Sequence, residues 1–440
     1  MVIARPVKGV FRTIKNRINW ILFVIFFGLP FIVIDGRPLL QLDIAARKFH
    51  VFGLTIWPQE MYYLHLILLA AGITLFISTA LWGRIWCAYA CPQTIFIEFY
   101  NLVGRFFGGK KFGKKTAGTG LYIRVWIGWI ILSIIVGFVF VSYFKGPYNM
   151  INEIVNGQII KPSGRIATWV LFGSGATLFS ILAFGWFREN ACKYVCPYGR
   201  FQTALLDKHS PIVHYDEGRG EPRRQKGQKN HDGDCTACNM CLLVCPTGID
   251  IREGLQVGCI RCGLCVDACT IEMGRDEKKT LIDLRTVEQT TNPEAHRPYV
   301  RPRTIVYGSL LSLVVIVFSL LLIFRVPMYT NVTRNRTVQS TFITGIGYQN
   351  VYELNVGNMS HQPLDIVVSL ENNDENFVIA NAQPEYTIDA SNMKKLQLIV
   401  RYNSEKPVKL DNQRIKFKIQ NKNKPTQMRV EKSIFSFASI

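Results

Sequence analysis

Five long apolar runs, two back-to-back C-x2-C-x2-C-x3-C spacings and a cysteine-free tail of alternating apolar residues set the fold class of this 440-residue chain. They predict a multi-domain membrane protein. An α-helical transmembrane bundle of five spans carries an inserted dicluster 4Fe-4S ferredoxin-like module and a C-terminal all-β immunoglobulin-like domain. The expected division is linear. Residues 1–187 hold spans one to four with a first C-x3-C-P motif. Residues 188–303 form a cytoplasmic segment with a second C-x3-C-P motif and the ferredoxin module, whose core is about 230–275. Residues 304–325 form the fifth span, and 326–440 the extracytoplasmic sandwich.

Crossing ~30 Å of hydrocarbon takes about 20 apolar helical residues. The runs that qualify are 18–34, 61–81, 121–143, 166–187 and 304–324. The first follows basic residues as a signal peptide would, but no small-residue cleavage site closes it, so it reads as a retained helix. The fourth is interrupted by Gly and Ser, which are favoured where helices pack in lipid.

The net charge of +20 orients these spans. The tail before the first has five basic residues (Arg5, Lys8, Arg12, Lys15, Arg17). The loops 35–60, 82–120 and 144–165 carry three, six and three, and 188–303 carries eighteen. High and low alternate, so the positive-inside rule puts the N-terminus and the cysteine-rich segment in the cytoplasm. Residues after 324 then lie outside. No nucleic-acid-binding motif accompanies the charge, and nucleic acid is excluded as a partner; membrane lipid is the expected one.

All twelve cysteines fall into spaced motifs. Cys235, Cys238, Cys241 and Cys245 form C-x2-C-x2-C-x3-C-P. Cys259, Cys262, Cys265 and Cys269 repeat it, with Thr270 in place of the proline. Such turns wrap three thiolates round one 4Fe-4S cluster, and the fourth cysteine reaches the other cluster. One cluster then takes Cys235, Cys238, Cys241 and Cys269; the other takes Cys259, Cys262, Cys265 and Cys245. Zinc rarely uses this doubled spacing, and disulfides are disfavoured on the reducing side of the membrane.

The other four lie in WGRIWCAYACPQ (Cys87, Cys91) and FRENACKYVCPYGR (Cys192, Cys196), each just after a span. At i and i+4 each pair is expected on one helix face. The flanks match, with Arg84 and Arg188 before, Pro92 and Pro197 after, and suggest an internal repeat. Four soft thiolates suit a third metal centre, either a 4Fe-4S cluster or copper as Cu(I). Two redox-active dithiols, or buried structural thiols, are the other readings.

Of seven histidines only His65 lies within a predicted span, so a bis-histidine haem has no second ligand there. An intramembrane His65 is a candidate for a structural hydrogen bond, or for a quinone or metal contact, with His50 in the adjacent loop. From about 326 onward apolar residues alternate: Tyr352, Leu354, Val356; Ile366, Val368, Leu370; Leu396, Leu398, Val400, Tyr402; Ile415, Phe417, Ile419. Six or seven short strands in about 110 residues predict a sandwich. Asn331, Asn335 and Asn358 stand in N-x-S/T triplets, which carry little weight.

The blocks LDIAARKFHVFGLTIWPQE, WGRIWCAYACPQTIFIE, CKYVCPYGRFQ and CTACNMCLLVCPTGIDIREGLQVGCIRCGLCVDAC closely resemble the CcoG family, also called FixG or RdxA, the cytochrome c oxidase accessory proteins. The resemblance runs through nearly the whole chain. It implies a multi-pass protein of the bacterial cytoplasmic membrane that assists assembly of cbb3-type cytochrome c oxidase by reducing Cu(II) to Cu(I). It also implies oxidase subunits and copper-delivery proteins as partners, and the C-x3-C-P cysteines as the copper-reducing site. The alternatives are a quinol dehydrogenase or electron conduit of the membrane polyferredoxin type, and a redox sensor or scaffold without turnover. The electron donor is not legible, since no dinucleotide or flavin fingerprint is present.

Overall fold

The computed structural model describes residues 3–34, 37–113, 118–160, 165–224, 232–292, 294–338, 340–371, 376–383, 385–404 and 412–437. Of the charges counted above, Lys114, Lys115, Lys161, Lys226 and Lys229 lie outside them. Two compact units are present: residues 1–44 with 64–316, and residues 45–63 with 317–440.

Five helical stretches are long and apolar enough to cross a membrane: Val10–Phe31, Pro58–Trp82, Thr119–Lys145, Thr168–Phe187 and Pro302–Ile323. The first helix, α1 (Val10–Gly28), begins eight residues before the apolar run at Ile18. Arg12, Lys15 and Arg17 therefore lie on its first turns, not ahead of it. The extension is possible because its polar end is satisfied from elsewhere. Gly9, at the N-cap, offers no side chain, so the Asp267 carboxylate accepts from Phe11 N (3.2 Å) and Arg12 N (2.8 Å). Those are two of the four amides that every helix start leaves unbonded.

In the larger unit, α2 (Met61–Trp82), of which residues 64–82 belong here, turns at Gly83 into a five-residue helix, α3 (Ile85–Tyr89). Gly83 has φ +61°, and a Cβ there would lie 2.7 Å from the Pro211 carbonyl. α4 (Pro92–Gly108) runs beside α5 (Thr119–Lys145). Buried between them, Tyr100 shares its hydroxyl with Ser133 (2.5 Å) and Ser180 (2.8 Å). α5 also packs on the helix Thr168–Ser180. There Gly137 lies so close that a Cβ would meet the Gly173 carbonyl at 3.0 Å. The small residues that interrupt the fourth apolar run are thus the ones that let two helices approach.

The cysteine-rich module is closed by an antiparallel pair, Pro211–Tyr215 with Ile282–Thr286, in register Val213↔Leu284. Its core joins Val213, Tyr215, Ile251, Val266 and Ile282 to cysteine side chains.

The smaller unit is a two-sheet sandwich. One sheet orders Phe377–Ile379, Met393–Tyr402, Gly347–Asn358 and Met328–Arg334, with Thr341–Ile343 added beside Gly347. The other orders Tyr386–Ile388, Leu364–Leu370, Gln413–Asn421 and Met428–Phe435. All pairings are antiparallel, with Leu354↔Leu396 and Val368↔Ile419 as examples. The alternating residues form the core; Tyr352, Leu354, Val356, Ile366, Leu398, Val400, Ile415, Phe417 and Ile419 are fully buried. Each contributes about 1.5–3 kcal/mol of apolar burial. This unit includes segment 45–63, whose strands Lys48–Val51 and Leu54–Ile56 pair. Lys48 Nζ donates to Ser391 O (2.7 Å), and Arg325 grips both oxygens of Glu60 (2.8 and 2.6 Å). Most of the loop between the first two apolar runs is thereby a built part of the sandwich unit. His50 Nδ1 there lies 3.1 Å from Thr55 Oγ1.

Candidate iron–sulfur and thiol sites

All twelve cysteines are free thiols, which removes the disulfide reading. The two C-x2-C-x2-C segments share one backbone geometry. Ala237 and Asn239 have φ 54° and 56°; Arg261 and Gly263, at the same places in the repeat, have φ 57° and 73°. These left-handed residues turn the chain sharply twice, and each segment then enters a helix, Met240–Leu243 or Leu264–Met273.

Two cavities result. One is lined by Cys235, Cys238, Cys241 and Cys269, together with Tyr215, Arg252 and Glu272. The other is lined by Cys259, Cys262, Cys265 and Cys245, with Cys241 and Arg261 at its edge. Each cavity is thus lined by one crossed set of three plus one, and Cys241 lines both. Burial pushes Cys259 up to about 12 and Cys241 up to about 11, Arg252 partly offsetting the latter. Buried Cys265 rises as well, by desolvation and then by Cys262, Cys259 and Cys245. Thiols that disfavour one another's charge this way are relieved when a cationic iron centre binds them. The donor chemistry and the cavities fit 4Fe-4S clusters.

The C-x3-C-P pairs are not on single helix faces, contrary to the i, i+4 expectation. Cys87 lies in α3, which ends at Tyr89, while Cys91 is the extended N-cap of α4 (φ −67°, ψ 125°). Cys192 lies in a π-helical turn, Ala191–Val195, and Cys196 is extended ahead of the helix that starts at Pro197. The cause is the proline in each motif, which disfavours helical backbone at the residue before it. Both breaks close alike: Cys91 N donates to Trp86 O (2.9 Å) and Cys196 N to Ala191 O (2.8 Å), each five residues back. The repeat suggested by the flanks is therefore present in the backbone. Its arginines diverge. Arg188 follows a second π-helical stretch, Ile181–Phe187, the form that accommodates an inserted residue. It turns to Asn101 Oδ1 (2.6 Å) and the Trp129 ring.

The two pairs lie within electrostatic reach of each other. Burial pushes Cys192 up to about 12, and Cys91, Cys87 and Cys196 add to the rise. Burial pushes Cys87 up to about 11; Arg84 opposes, and Cys91 and Cys196 add. Among the described residues no three His, Cys, Asp or Glu side chains converge on a single-ion position.

One buried arginine joins this tetrad to the ferredoxin module. Arg84 Nη1 donates to Cys259 O (2.9 Å), and its Nη2 to Gly199 O (3.0 Å), three residues after Cys196. Tyr89 Oη donates to Cys262 O (3.2 Å). Cys87, Ala88 and Tyr89 pack against Val244, Ile260, Cys262 and Leu264. The tetrad thus adjoins the second cysteine set. Sequence reasoning noticed Arg84 as a flank but not as this link; Tyr89 and Asp267 carried no signal.

A family described as a 4Fe-4S dicluster domain matches residues 187–286, a 4Fe-4S binding domain matches 64–115, and an immunoglobulin-like fold at the C-terminus of FixG matches 318–437. Protein RdxA of Cereibacter sphaeroides is 35% identical over 388 residues, 82% of this chain and 80% of that protein. The chain belongs to the FixG/RdxA family. Protein RdxB of the same organism is 33% identical over 395 residues, covering 84% of this chain and 81% of its own length. The nitrogen fixation protein FixG of Rhizobium meliloti is 33% identical over 286 residues, 61% of this chain and 53% of that protein. Like the family, the chain is a membrane iron–sulfur protein of the electron-transfer type, with an immunoglobulin-like C-terminal domain.

Proposed function

We propose that this protein reduces Cu(II) to Cu(I) with electrons drawn from its ferredoxin module, and so supplies copper for assembly of a cbb3-type cytochrome c oxidase. Cys235, Cys238, Cys241 and Cys269 would hold one 4Fe-4S cluster; Cys259, Cys262, Cys265 and Cys245 would hold the second. When bound, such clusters supply electrons singly and at low potential. Cu(II) takes one electron to become Cu(I), with no proton to move. Cys87, Cys91, Cys192 and Cys196 are the site at which copper meets that electron. Soft sulfur ligands favour the reduced ion.

The observation that carries this reading is the Arg84 and Tyr89 bridge, which sets the four-thiol group against the second cysteine set. A second reading of the tetrad has its own support. The 4Fe-4S binding domain match spans Cys87 and Cys91 only, and Cys192 and Cys196 are the thiols available to complete a third cluster. Iron content separates the two: about eight per chain for two clusters, about twelve for three.

Dithionite-reduced, copper-free protein is expected to convert added Cu(II) to Cu(I), read with a Cu(I)-specific chelating dye. Cys87→Ser/Cys91→Ser is expected to lose that yield while keeping eight iron. Equal Cu(I) from the double variant sinks the copper site.

A further inference from the structure

Outside the cysteine sites, a cleft of about 550 Å³ opens between the start of α1 and α4. Its two walls run antiparallel. Arg105 reaches Ala4 O (3.3 Å), Glu98 meets Arg12 (3.0 Å), and Phe99 meets Trp20 edge-on (5.2 Å between ring centroids). The cleft is therefore graded. One end is cationic, with Lys8, Arg12 and Arg105. The other, ~12 Å further along α1 at 1.5 Å per residue, is apolar, with Trp20 and Leu102 both about half exposed.

The charge does not balance. Among the described residues Glu98 is the only carboxylate that lines the cleft, and Arg12 and Lys15 both hold it (3.0 Å each). Among the described residues neither Lys8 nor Arg105 has an ion-pair partner. A further observation points to a ligand. Asn19 lines the cleft and is only 4% exposed, yet its Oδ1 has no hydrogen-bond partner among the described residues. A buried amide oxygen left unpaired is costly, so a hydrogen-bond donor from outside the chain is expected beside it.

We propose that this cleft binds one anionic phospholipid. The phosphate sits between Lys8 and Arg105, and an acyl chain lies along Leu102 and Trp20. Basic pockets between membrane helices take acidic headgroups by the same logic, and tryptophan marks the interface. A quinol fits less well, because oxidising it needs a proton acceptor. The one carboxylate here is already committed to two cations.

The test uses full-length protein in a neutral detergent and native mass spectrometry. Wild type is expected to retain phosphatidylglycerol over phosphatidylcholine of the same chains. Lys8→Gln/Arg105→Gln is expected to lower phosphatidylglycerol retention at least tenfold and leave phosphatidylcholine unchanged. Arg124→Gln, an exposed basic residue at the start of α5, controls for general charge. Equal retention of the two lipids by wild type overturns the proposal, whatever the variants do. So does an unaltered double variant, or an equal loss in Arg124→Gln. Displacement of phosphatidylglycerol by millimolar inorganic phosphate makes the site one for a free anion. Displacement by a water-soluble quinone makes it a quinol site. Either result also overturns the lipid assignment.

Discussion

Arg261 and Ala237 occupy the same place in two loops of the same backbone geometry, and the difference between them is electrical. Arg261 faces the second cavity, buried, with Nε and Nη1 unpartnered among the described residues. The arginine at the first cavity, Arg252, is neutralised: it grips both oxygens of Asp250 (2.8 and 2.6 Å) and bonds Asn239. A cluster grows more negative on reduction, so a nearby uncompensated cation raises its potential. Arg261→Gln is therefore expected to lower the potential of one cluster, on the order of 100 mV for a unit charge several Å away at an effective dielectric near 20. The other cluster should stay put. Potentiometric titration followed by electron paramagnetic resonance reads both; two unmoved potentials would refute the assignment. Glu98 gives a second residue-scale expectation. Burial alone would raise its pKa, but Lys15 and Arg12 outweigh burial and lower it from 4.5 to about 2. A depressed carboxylate pKa stabilises the fold above 4.5, and that stability is lost as pH falls from there toward 2. Glu98→Gln should cost about 3 kcal/mol at pH 7, at 1.36 kcal/mol per pKa unit. The gap in thermal midpoint from wild type should narrow steadily below pH 4.5. A gap that widens in acid would show the pairing to be wrong.

At the scale of elements, the module and the first membrane helix are joined by a cap, since Asp267 serves amides 256 and 255 residues away in sequence. Asp267→Ala should lower stability by about 0.5–2 kcal/mol, the usual cost of a lost N-cap, and Asp267→Asn should keep most of it. Differential scanning fluorimetry on the whole protein measures both, and an Asn variant as weak as Ala would argue against capping. That contact also shows where sequence reading stops. Period-two runs such as Leu396, Leu398 and Val400 announced their strands because burial is decided locally, one face at a time. The grouping of three cysteines on each turn was legible because the C-x2-C-x2-C spacing is local. The start of α1 was not, because Arg12 and Lys15 look like a flanking charge until Glu98 and Asp267 arrive from distant segments. Nor was the break at each C-x3-C-P, where i, i+4 spacing suggested one helix face although Pro92 and Pro197 both forbid it.

For the whole molecule, topology decides which reagents each site can meet. Lys and Arg counts alternate along the short loops, and the positive-inside rule responds to such counts within about 15–20 residues of a span. Moving Arg12, Lys15 and Arg17 onto the first turns of α1 does not change their side, because Lys15 is neutralised by Glu98 and the other two remain at the same end. On that count, five crossings would put the cysteine motifs in the cytoplasm and the sandwich outside, the topology expected from the sequence. Exposed residues can report this: Thr119 at the start of α5, expected inside, and Thr333 on the strand Met328–Arg334, expected outside. In intact expressing cells a membrane-impermeant maleimide should label Thr333→Cys, and Thr119→Cys only after permeabilisation. The native thiols, all expected inside, should stay silent in wild type until then. Labelling of Thr119→Cys without permeabilisation would invert the topology and move the proposed copper reduction to the outer face. An even number of crossings between residues 119 and 333 would leave both variants labelled together, or neither.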